Sequence, residues 1–284
     1  MPNSKIIRTS PETQGDSDWI PPSGTLGELV VSARARSRAL ETLAQTAPFP
    51  RASGSIQRLS SALKGETVAV IAEIKRSSPS KGRINSSIDS ARQAKAYEAG
   101  GAAAISVLTE PDRFGGSDAD IDRARSACLL PVLKKDFHVS PVQLAHAASL
   151  GVSAALVIVR AVSPAQLGNL ARAARDLDLE IVFEVRDERE LELALDQDAQ
   201  VIGVNNRNLE TLDIDSSTVR RILPLIPEDR IAIAESGYDT RESVEIAADA
   251  GADAILVGSS LSASADPAAA VREIASVPRN SRSK

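Results

Sequence analysis

Apolar residues along most of this chain follow two alternating patterns. Short runs rich in Val, Ile, Leu and Ala are typical of buried parallel strands, and each is followed by a longer segment with apolar residues at helical spacing. The distance between successive runs fits one strand, one helix and their loops. The runs predict strands at residues 68–74, 104–108, 132–135, 155–159, 181–185, 201–204, 231–234 and 254–257.

This alternation predicts an α/β fold, and we interpret it as a single (βα)8 barrel, the TIM barrel. Three predicted helices end in the same way, with a glycine stop followed directly by a strand, at residues 98–105, 149–156 and 249–255. A doubly wound open sheet would show the same alternation of strands and helices. Polar residues at nearly every strand's carboxyl end favour the closed barrel, because barrel enzymes keep their sites there.

The chain before the first strand has two parts. Residues 1–23 are polar and punctuated by prolines, so we predict a flexible lead. Apolar residues at 26–43 recur at helical spacing, which predicts an amphipathic helix within a helical N-terminal extension at 24–66. We expect the barrel itself at 67–277 and a polar C-terminal tail at 278–284.

Composition narrows the class of function. A net charge of -5, a pI near 5.3 and an aromatic content of 2% argue against a nucleic-acid surface and against base-stacking platforms. No apolar run reaches the roughly 20 residues of a membrane span, and the first residues lack the apolar centre of a signal peptide. Cys128, His138 and His146 are too few for an internal disulfide or a structural zinc site. We therefore expect a cytoplasmic protein.

Charged residues at the carboxyl ends of three strands are the main candidates for catalysis. Glu73 and Lys75 lie two residues apart on the first strand, so both point to one face, where they must pair or meet a ligand. Lys135 ends an apolar strand, where loss of solvation is expected to lower its pKa and suit it to acid catalysis, whereas Lys134 points the other way. Glu184 is a lone carboxylate in an apolar strand and suits a proton acceptor.

Small and polar residues after other strands predict an anionic ligand. Residues 77–82 form a turn-forming segment rich in hydrogen-bond donors. Residues 234–237 and 257–260 read Ala-Glu-Ser-Gly and Val-Gly-Ser-Ser, and a small-residue loop that enters a helix exposes backbone N–H groups to a phosphate. Gly258→Val is therefore expected to weaken substrate binding and to leave the charged groups on the first, third and fifth strands untouched.

These stretches occur in order and together resemble the indole-3-glycerol phosphate synthase family of tryptophan biosynthesis. The matching strings are IAEIKRSSPSKG at 71–82, PVLKKDF at 131–137, VFEV at 182–185, GVNNRNL at 203–209, AESG at 234–237 and VGSS at 257–260. One departure is Arg186, where family members often have His. The resemblance implies conversion of 1-(2-carboxyphenylamino)-1-deoxyribulose 5-phosphate to indole-3-glycerol phosphate, carbon dioxide and water, without a metal or organic cofactor. It also implies that the N-terminal helical extension lies over the open end of the barrel.

The resemblance further implies a role for each matching residue. Lys135 would be the general acid, Glu184 the general base, and Lys75, steered by Glu73, would hold the substrate carboxylate. The implied catalytic residues are Glu73, Lys75, Lys135, Glu184, Asn205, Glu235 and Ser236. The implied substrate-binding residues are Ser78, Ser80, Ser106, Leu108, Phe114, Phe137 and Arg207, and the implied phosphate-binding residues are Gly237, Gly258 and Ser259. The sequence leaves open which lysine is the acid in the dehydration step.

Two other functions fit part of the pattern. Another phosphate-binding barrel enzyme, such as a phosphoribosylanthranilate isomerase or a sugar-phosphate epimerase, would share the Gly-Ser loops but need not combine Lys75, Lys135 and Glu184. A non-catalytic barrel that binds a phosphorylated metabolite should have lost at least one strand-end acid or base. We expect a small phosphorylated ligand, no nucleic-acid or membrane partner, and a monomer, with association with other tryptophan-pathway enzymes left open.

Overall fold

Eight parallel strands close into a barrel in the computed structural model, which describes residues 19–50, 52 and 56–282. The strands are β1 Ala69–Ile74, β2 Ala104–Leu108, β3 Val132–Lys135, β4 Ala154–Ile158, β5 Glu180–Val185, β6 Val201–Asn205, β7 Ile231–Glu235 and β8 Ala254–Val257. Each strand pairs with its neighbours in sequence, and β1 also pairs with β8, with Ala69 opposite Ala254. This closure confirms the TIM barrel and shows that the open-sheet alternative is wrong.

Burial on both faces explains why the strands appear as continuous apolar runs. Helices cover the outside of the barrel and side chains fill its inside, so every residue of β2, β4, β6, β7 and β8 is buried. The predicted and observed strands differ by one residue at several ends. For example, β6 extends one residue beyond the predicted strand to Asn205, which pairs in register with Glu235 of β7. Two candidate site residues therefore lie side by side at neighbouring strand ends.

The helices alternate with the strands after two helices that precede the barrel. The first two are α1 Gly24–Thr46 and α2 Leu59–Ala62. The others are α3 Ser90–Gly100, α4 Ala119–Ala127, α5 Pro141–Ser149, α6 Pro164–Asp176, α7 Glu188–Leu195, α8 Ser217–Ile222, α9 Arg241–Asp249, α10 Ser259–Ala263 and α11 Pro267–Ile274. None of these helices has the length and apolarity needed to cross a membrane. A two-stranded hairpin pairs Ser77–Ser78 with Gly82–Arg83 in the loop after β1.

The predicted glycine helix stops are confirmed. Gly101, Gly151 and Gly251 follow α3, α5 and α9 with φ values of 92°, 71° and 90°. This left-handed backbone costs glycine little, and it lets the chain turn directly from a helix into the next strand. After α3, the Gly101 N–H donates to the carbonyl of Glu98 at 3.0 Å, which ties off the helix end.

Helix α1 is attached to the loops at the carboxyl ends of the strands. Thr25 N–H donates to the carbonyl of Glu210, in the loop after β6, at 3.2 Å. Ser32 Oγ donates to Asp112 Oδ2, in the loop after β2, at 2.6 Å. The helix is longer at both ends than the predicted 26–43. Residues 1–18 of the predicted flexible lead lie outside the described residues.

The chain after α11 attaches to the opposite end of the barrel. Pro278 forms a bridge with Thr67, just before β1. Arg282 is buried, and its Nη1 lies 2.7 Å from Asp253 Oδ2, just before β8. Residues 278–282 thus brace the amino-terminal ends of two strands. The division of the chain at residues 23, 66 and 277 stays a prediction.

Candidate active site

A cavity of about 300 Å³ opens at the carboxyl ends of the barrel strands. All predicted site residues except Ser106 line it: Glu73, Lys75, Ser78, Ser80, Leu108, Phe114, Lys135, Phe137, Glu184, Asn205, Arg207, Glu235, Ser236, Gly237, Gly258 and Ser259. Ser106 is two residues before Leu108 on β2 and pairs in register with Glu73, so it lies deeper in the barrel. Its hydroxyl is buried without a hydrogen-bond partner among the described residues.

Glu73 and Lys75 form an ion pair at the end of β1, with Lys75 Nζ 2.7 Å from Glu73 Oε2. Both residues line the cavity, and Lys75 is the more exposed partner of the pair. The backbone between them is fixed by Ser262, whose Oγ donates to the Glu73 carbonyl at 3.0 Å and accepts from the Lys75 N–H at 3.2 Å. The pair predicted from the strand spacing therefore exists, and its ammonium group is available to a ligand.

Lys135 lies between two carboxylates, with Nζ 2.9 Å from Glu235 Oε2 and 3.3 Å from Glu184 Oε2. The expectation of a lowered pKa is wrong. Loss of solvation alone would lower the pKa of Lys135, but the negative charges of Glu235, Glu184 and Glu73 outweigh it and raise the pKa above its ordinary value. Lys135 is therefore held as a firmly protonated hydrogen-bond donor.

Glu235 is the nearer of the two buried carboxylate partners of Lys135. Burial raises the pKa of its carboxyl group above the ordinary glutamate value, and the nearby charge of Glu184 adds to this, although Lys135 opposes both. Its Oε1 has no hydrogen-bond partner in the described part of the chain. Among the described residues, Glu73, Glu184 and Glu235 form ion pairs with two ammonium groups, those of Lys75 and Lys135. Perturbed pKa values of neighbouring groups in one cavity are typical of a functional site.

A chain of hydrogen bonds orients Glu184. Asn205 Nδ2 donates to Glu184 Oε1 at 3.1 Å, and Ser236 Oγ donates to Asn205 Oδ1 at 2.8 Å. Ser236 and Gly237 have φ values of 69° and 101°. A left-handed backbone is unusual for serine, and such a strained turn at a cavity wall is typical of a functional site.

Two glycines leave room for the site carboxylates. A Cβ atom at Gly258 would overlap Glu73 Oε2 and would lie 2.9 Å from Lys75 Nζ. A Cβ atom at Gly203 would overlap Glu235 Oε1. The expectation that Gly258→Val leaves the charged groups untouched is therefore wrong for the first strand, because residue 258 packs directly on the Glu73–Lys75 pair. Gly203 was missed as a site residue, although a glycine inside a strand signals a close approach.

Apolar side chains also line the cavity. Phe114, after β2, and Phe137, after β3, have ring centroids 6.2 Å apart with planes inclined by 38°. We call these two side chains the aromatic wall. Leu108 also lines this part of the cavity, and α1 contributes Thr25 and Leu29, which sequence reasoning had missed. An aromatic wall of this kind suits a flat aryl group.

Arg207 supplies a cation at the rim of the cavity. Its Nη1 donates to the carbonyl of Leu212 at 2.7 Å, and burial lowers the pKa of its guanidinium group. None of the carboxylates in the described residues forms an ion pair with it. The guanidinium is therefore available to an anionic group of a ligand.

The histidines and the cysteine lie away from the cavity. His138 is buried with Nδ1 2.7 Å from the Leu156 carbonyl, and burial lowers its pKa to about 4. His146 is in α5, and its ring lies 4.9 Å from that of Phe49. Cys128 directly follows α4 and is buried. Within residues 19–50, 52 and 56–282, no group of acidic, histidine or cysteine side chains could hold a metal ion.

Comparisons with known proteins agree with this geometry. Residues 28–274 match the family model of indole-3-glycerol phosphate synthase. The indole-3-glycerol phosphate synthase of Streptomyces griseus subsp. griseus is 47% identical over 213 residues, and indole-3-glycerol phosphate synthase 1 of Streptomyces coelicolor is 48% identical over the same length. Each alignment covers 75% of this chain and 79% of the relative.

A solved structure shares the fold at low sequence identity. The thiamine phosphate pyrophosphorylase from Pyrococcus furiosus superposes with a TM-score of 0.52 and 16% identity, covering 74% of this chain and 94% of its own. That likeness concerns the barrel alone. The family model and the two Streptomyces relatives go further, and they show that this chain belongs to the indole-3-glycerol phosphate synthase family.

Proposed function

We propose that this protein converts 1-(2-carboxyphenylamino)-1-deoxyribulose 5-phosphate to indole-3-glycerol phosphate, carbon dioxide and water. One observation carries the proposal. A single cavity combines two lysines held by carboxylates, Lys75 and Lys135, with an aromatic wall and the available guanidinium of Arg207. These groups match the anionic, aromatic and carbonyl parts of that substrate.

The cavity offers a separate place for each end of the substrate. The phosphate lies at the backbone N–H groups of Gly237, Gly258 and Ser259, after β7 and β8. The aryl ring lies against the aromatic wall after β2 and β3. Because β1 stands between β8 and β2, Lys75 lies between the two ends and holds the aryl carboxylate, with Arg207 as the second cation.

Ring closure uses Lys135. The aryl carbon that bears the carboxylate attacks the ribulose carbonyl carbon, and a carbon–carbon bond forms. Lys135 donates a hydrogen bond to the carbonyl oxygen and gives it a proton as negative charge develops, so this oxygen becomes a hydroxyl group. Loss of carbon dioxide then leaves its bonding electron pair to the ring, which restores aromaticity.

Dehydration completes the pyrrole ring. The hydroxyl group leaves as water with a proton from an ammonium group, and the neighbouring carbon loses a proton to a base. Glu184 is that base, since Asn205 fixes its carboxylate and Lys135 is 3.3 Å away. Lys75 and Lys135 both lie in the cavity and can supply the proton to the leaving group. Each turnover takes two protons from ammonium groups and returns one to Glu184, so solvent resupplies the one proton that is consumed when the substrate carboxylate leaves as carbon dioxide.

The alternatives raised by the sequence have less support. Other phosphate-binding barrel enzymes would share the loops after β7 and β8, whereas membership in this family favours the lyase reaction. A binding protein without activity does not need two lysine–carboxylate pairs in one cavity. The cytoplasmic location, the monomeric state and the absence of nucleic-acid or membrane partners remain predictions from the sequence.

A direct assay tests the proposed function. Purified protein is mixed with the substrate, and indole fluorescence is followed together with the release of carbon dioxide. We expect both products in equal amounts. A protein that forms neither, or that releases carbon dioxide without an indole product, would contradict the proposal.

A further inference from the structure

Arg36 of α1 connects two buried carboxylates that do not belong to the cavity's acid–base groups. Its Nη2 lies 2.8 Å from Asp136 Oδ1, and its Nη1 lies 3.3 Å from Glu110 Oε1. Both carboxylates are buried, whereas Arg36 is one-quarter exposed. Each carboxylate lies in a loop after a different barrel strand, Glu110 after β2 and Asp136 after β3. One guanidinium group therefore joins two loops to the helix that covers the cavity.

Glu110 holds the backbone that carries one side of the aromatic wall. Its Oε2 accepts the N–H of Phe114 at 3.1 Å and that of Arg113 at 2.7 Å. Its Oε1 accepts the N–H of Asp112 at 3.0 Å. Three successive N–H groups thus converge on one carboxylate. A buried carboxylate with this role needs a positive partner, and Arg36 supplies it.

Asp136 does the same for the other side of the aromatic wall. Its Oδ1 accepts the N–H of Phe137 at 2.8 Å, and its Oδ2 accepts the hydroxyl proton of Thr109 at 2.8 Å. Burial alone would raise the pKa of Asp136, but positive groups that include Lys134 and Arg36 lower it. The carboxylate therefore stays ionised and continues to accept the hydrogen bond from the Phe137 N–H.

We propose that Arg36 is a positioning residue for the aromatic wall. The guanidinium sets the distance between the Glu110 and Asp136 loops, and through them the separation of Phe114 and Phe137. This inference rests on the proposed function, in which the aromatic wall receives the aryl ring. Arg36 does not line the cavity and has no contact with Lys75, Lys135 or Glu184, so its loss should weaken aryl binding more than it slows the chemical steps.

The structure offers a matched control on the same helix. Arg34 and Arg38 are exposed, and neither forms an ion pair with a described carboxylate. Arg38→Met makes the same chemical change in α1 as Arg36→Met does: the positive charge is lost and the side chain becomes shorter. Arg36→Lys keeps a positive charge, but a single ammonium group cannot bridge both carboxylates in the way that a forked guanidinium does.

The experiment compares the intact protein with Arg36→Met, Arg36→Lys and Arg38→Met. KM and kcat are measured by indole fluorescence, and inorganic phosphate serves as a competitive probe of the loops after β7 and β8. We expect Arg36→Met to raise KM about tenfold while kcat and the phosphate inhibition constant change less than about twofold. Arg36→Lys should be intermediate, and Arg38→Met should match the intact protein.

Two outcomes would overturn the inference. One is an unchanged KM in Arg36→Met; the other is an equal loss of substrate and phosphate binding, which would indicate general damage. If Arg36→Met does not fold, Glu110→Gln is measured instead, because it weakens the same Arg36–Glu110 ion pair by changing the barrel residue. This variant must show the same selective rise in KM. Absence of turnover in the intact protein would instead overturn the proposed function, and this inference with it.

Discussion

Replacing Gly203 by alanine tests whether the position of Glu235 controls catalysis. Gly203 lies inside β6, next to the strand that carries Glu235. An alanine Cβ there would overlap Glu235 Oε1 and would lie 3.3 Å from its Cδ and 3.4 Å from Val182 Cγ1. The Val182 side and the backbone are packed in the barrel, so the carboxylate is the group that must move. We expect it to retreat by about 1 Å, and a misplacement of this size costs on the order of 100-fold in rate.

The consequence of that movement is transmitted through Lys135. Glu235 Oε2 is 2.9 Å from Lys135 Nζ, so a displaced carboxylate withdraws one of the two partners that hold the ammonium group. We expect kcat to fall by about 10- to 100-fold with little change in the phosphate inhibition constant, because the phosphate loops follow β7 and β8. Indole fluorescence gives kcat, and inhibition by inorganic phosphate reports the phosphate loops.

Gly168→Ala is the matched control, since a Cβ there would meet only Gln197 Oε1 at 3.4 Å on the outside of the barrel. A second arm uses the Glu235→Ala background, in which Gly203→Ala should add almost nothing because the clashing group is gone. A kcat within about twofold of the intact protein for Gly203→Ala would show that the position of Glu235 does not control catalysis. So would a full additional loss in the Glu235→Ala background.

Two further changes test other parts of the site and its surroundings. Gly258→Val should lower kcat as well as raise KM, because its side chain would displace the Glu73–Lys75 pair; a pure rise in KM would contradict this packing. Burial raises the pKa of Glu190 to about 7, from an ordinary value of 4.5, so the unfolded chain releases this proton first as pH rises. The free energy of unfolding should therefore fall as pH rises from about 4.5 to about 7. Glu190→Gln should remove up to about 3 kcal/mol of that fall, measured by urea unfolding at about pH 5 and pH 8, and an unchanged pH dependence would count against it.

The barrel could be predicted from the sequence because each strand is buried on both faces and followed by a helix. The charged residues at strand ends could also be identified, because a buried charge such as that of Lys135 or Glu184 in an apolar strand is costly unless it is paired or binds a ligand. Their positions in one cavity follow from the closure of the barrel. The sequence pattern was therefore informative wherever strand periodicity alone fixed the direction of a side chain.

Properties that depend on several strands together could not be predicted. The raised pKa of Lys135 comes from Glu73, Glu184 and Glu235, which lie on three other strands, and a single strand shows only the loss of solvation. The packing of Gly258 on Glu73 is likewise a contact between the two strands that close the barrel.

The role of Arg36 was hidden for a related reason. Arg34, Arg36 and Arg38 alternate along α1 and look equivalent in sequence. Because of the rotation of the helix about its axis, Arg36 alone of the three points toward the loops after β2 and β3, where it forms ion pairs with Glu110 and Asp136. That rotation depends on how the buried face of α1 packs on the barrel, which the spacing of arginines does not reveal.

The turnover of Lys135→Ala tests whether this lysine and its carboxylates perform the chemistry. We predict that kcat falls by about 10² to 10⁴-fold in an indole fluorescence assay, the usual range for loss of a general acid, while inorganic phosphate inhibits any residual activity as before. Lys64→Ala, at an exposed lysine outside the cavity, should behave as the intact protein. A Lys135→Ala protein with the kcat of the intact chain would show that Lys135 is not the general acid.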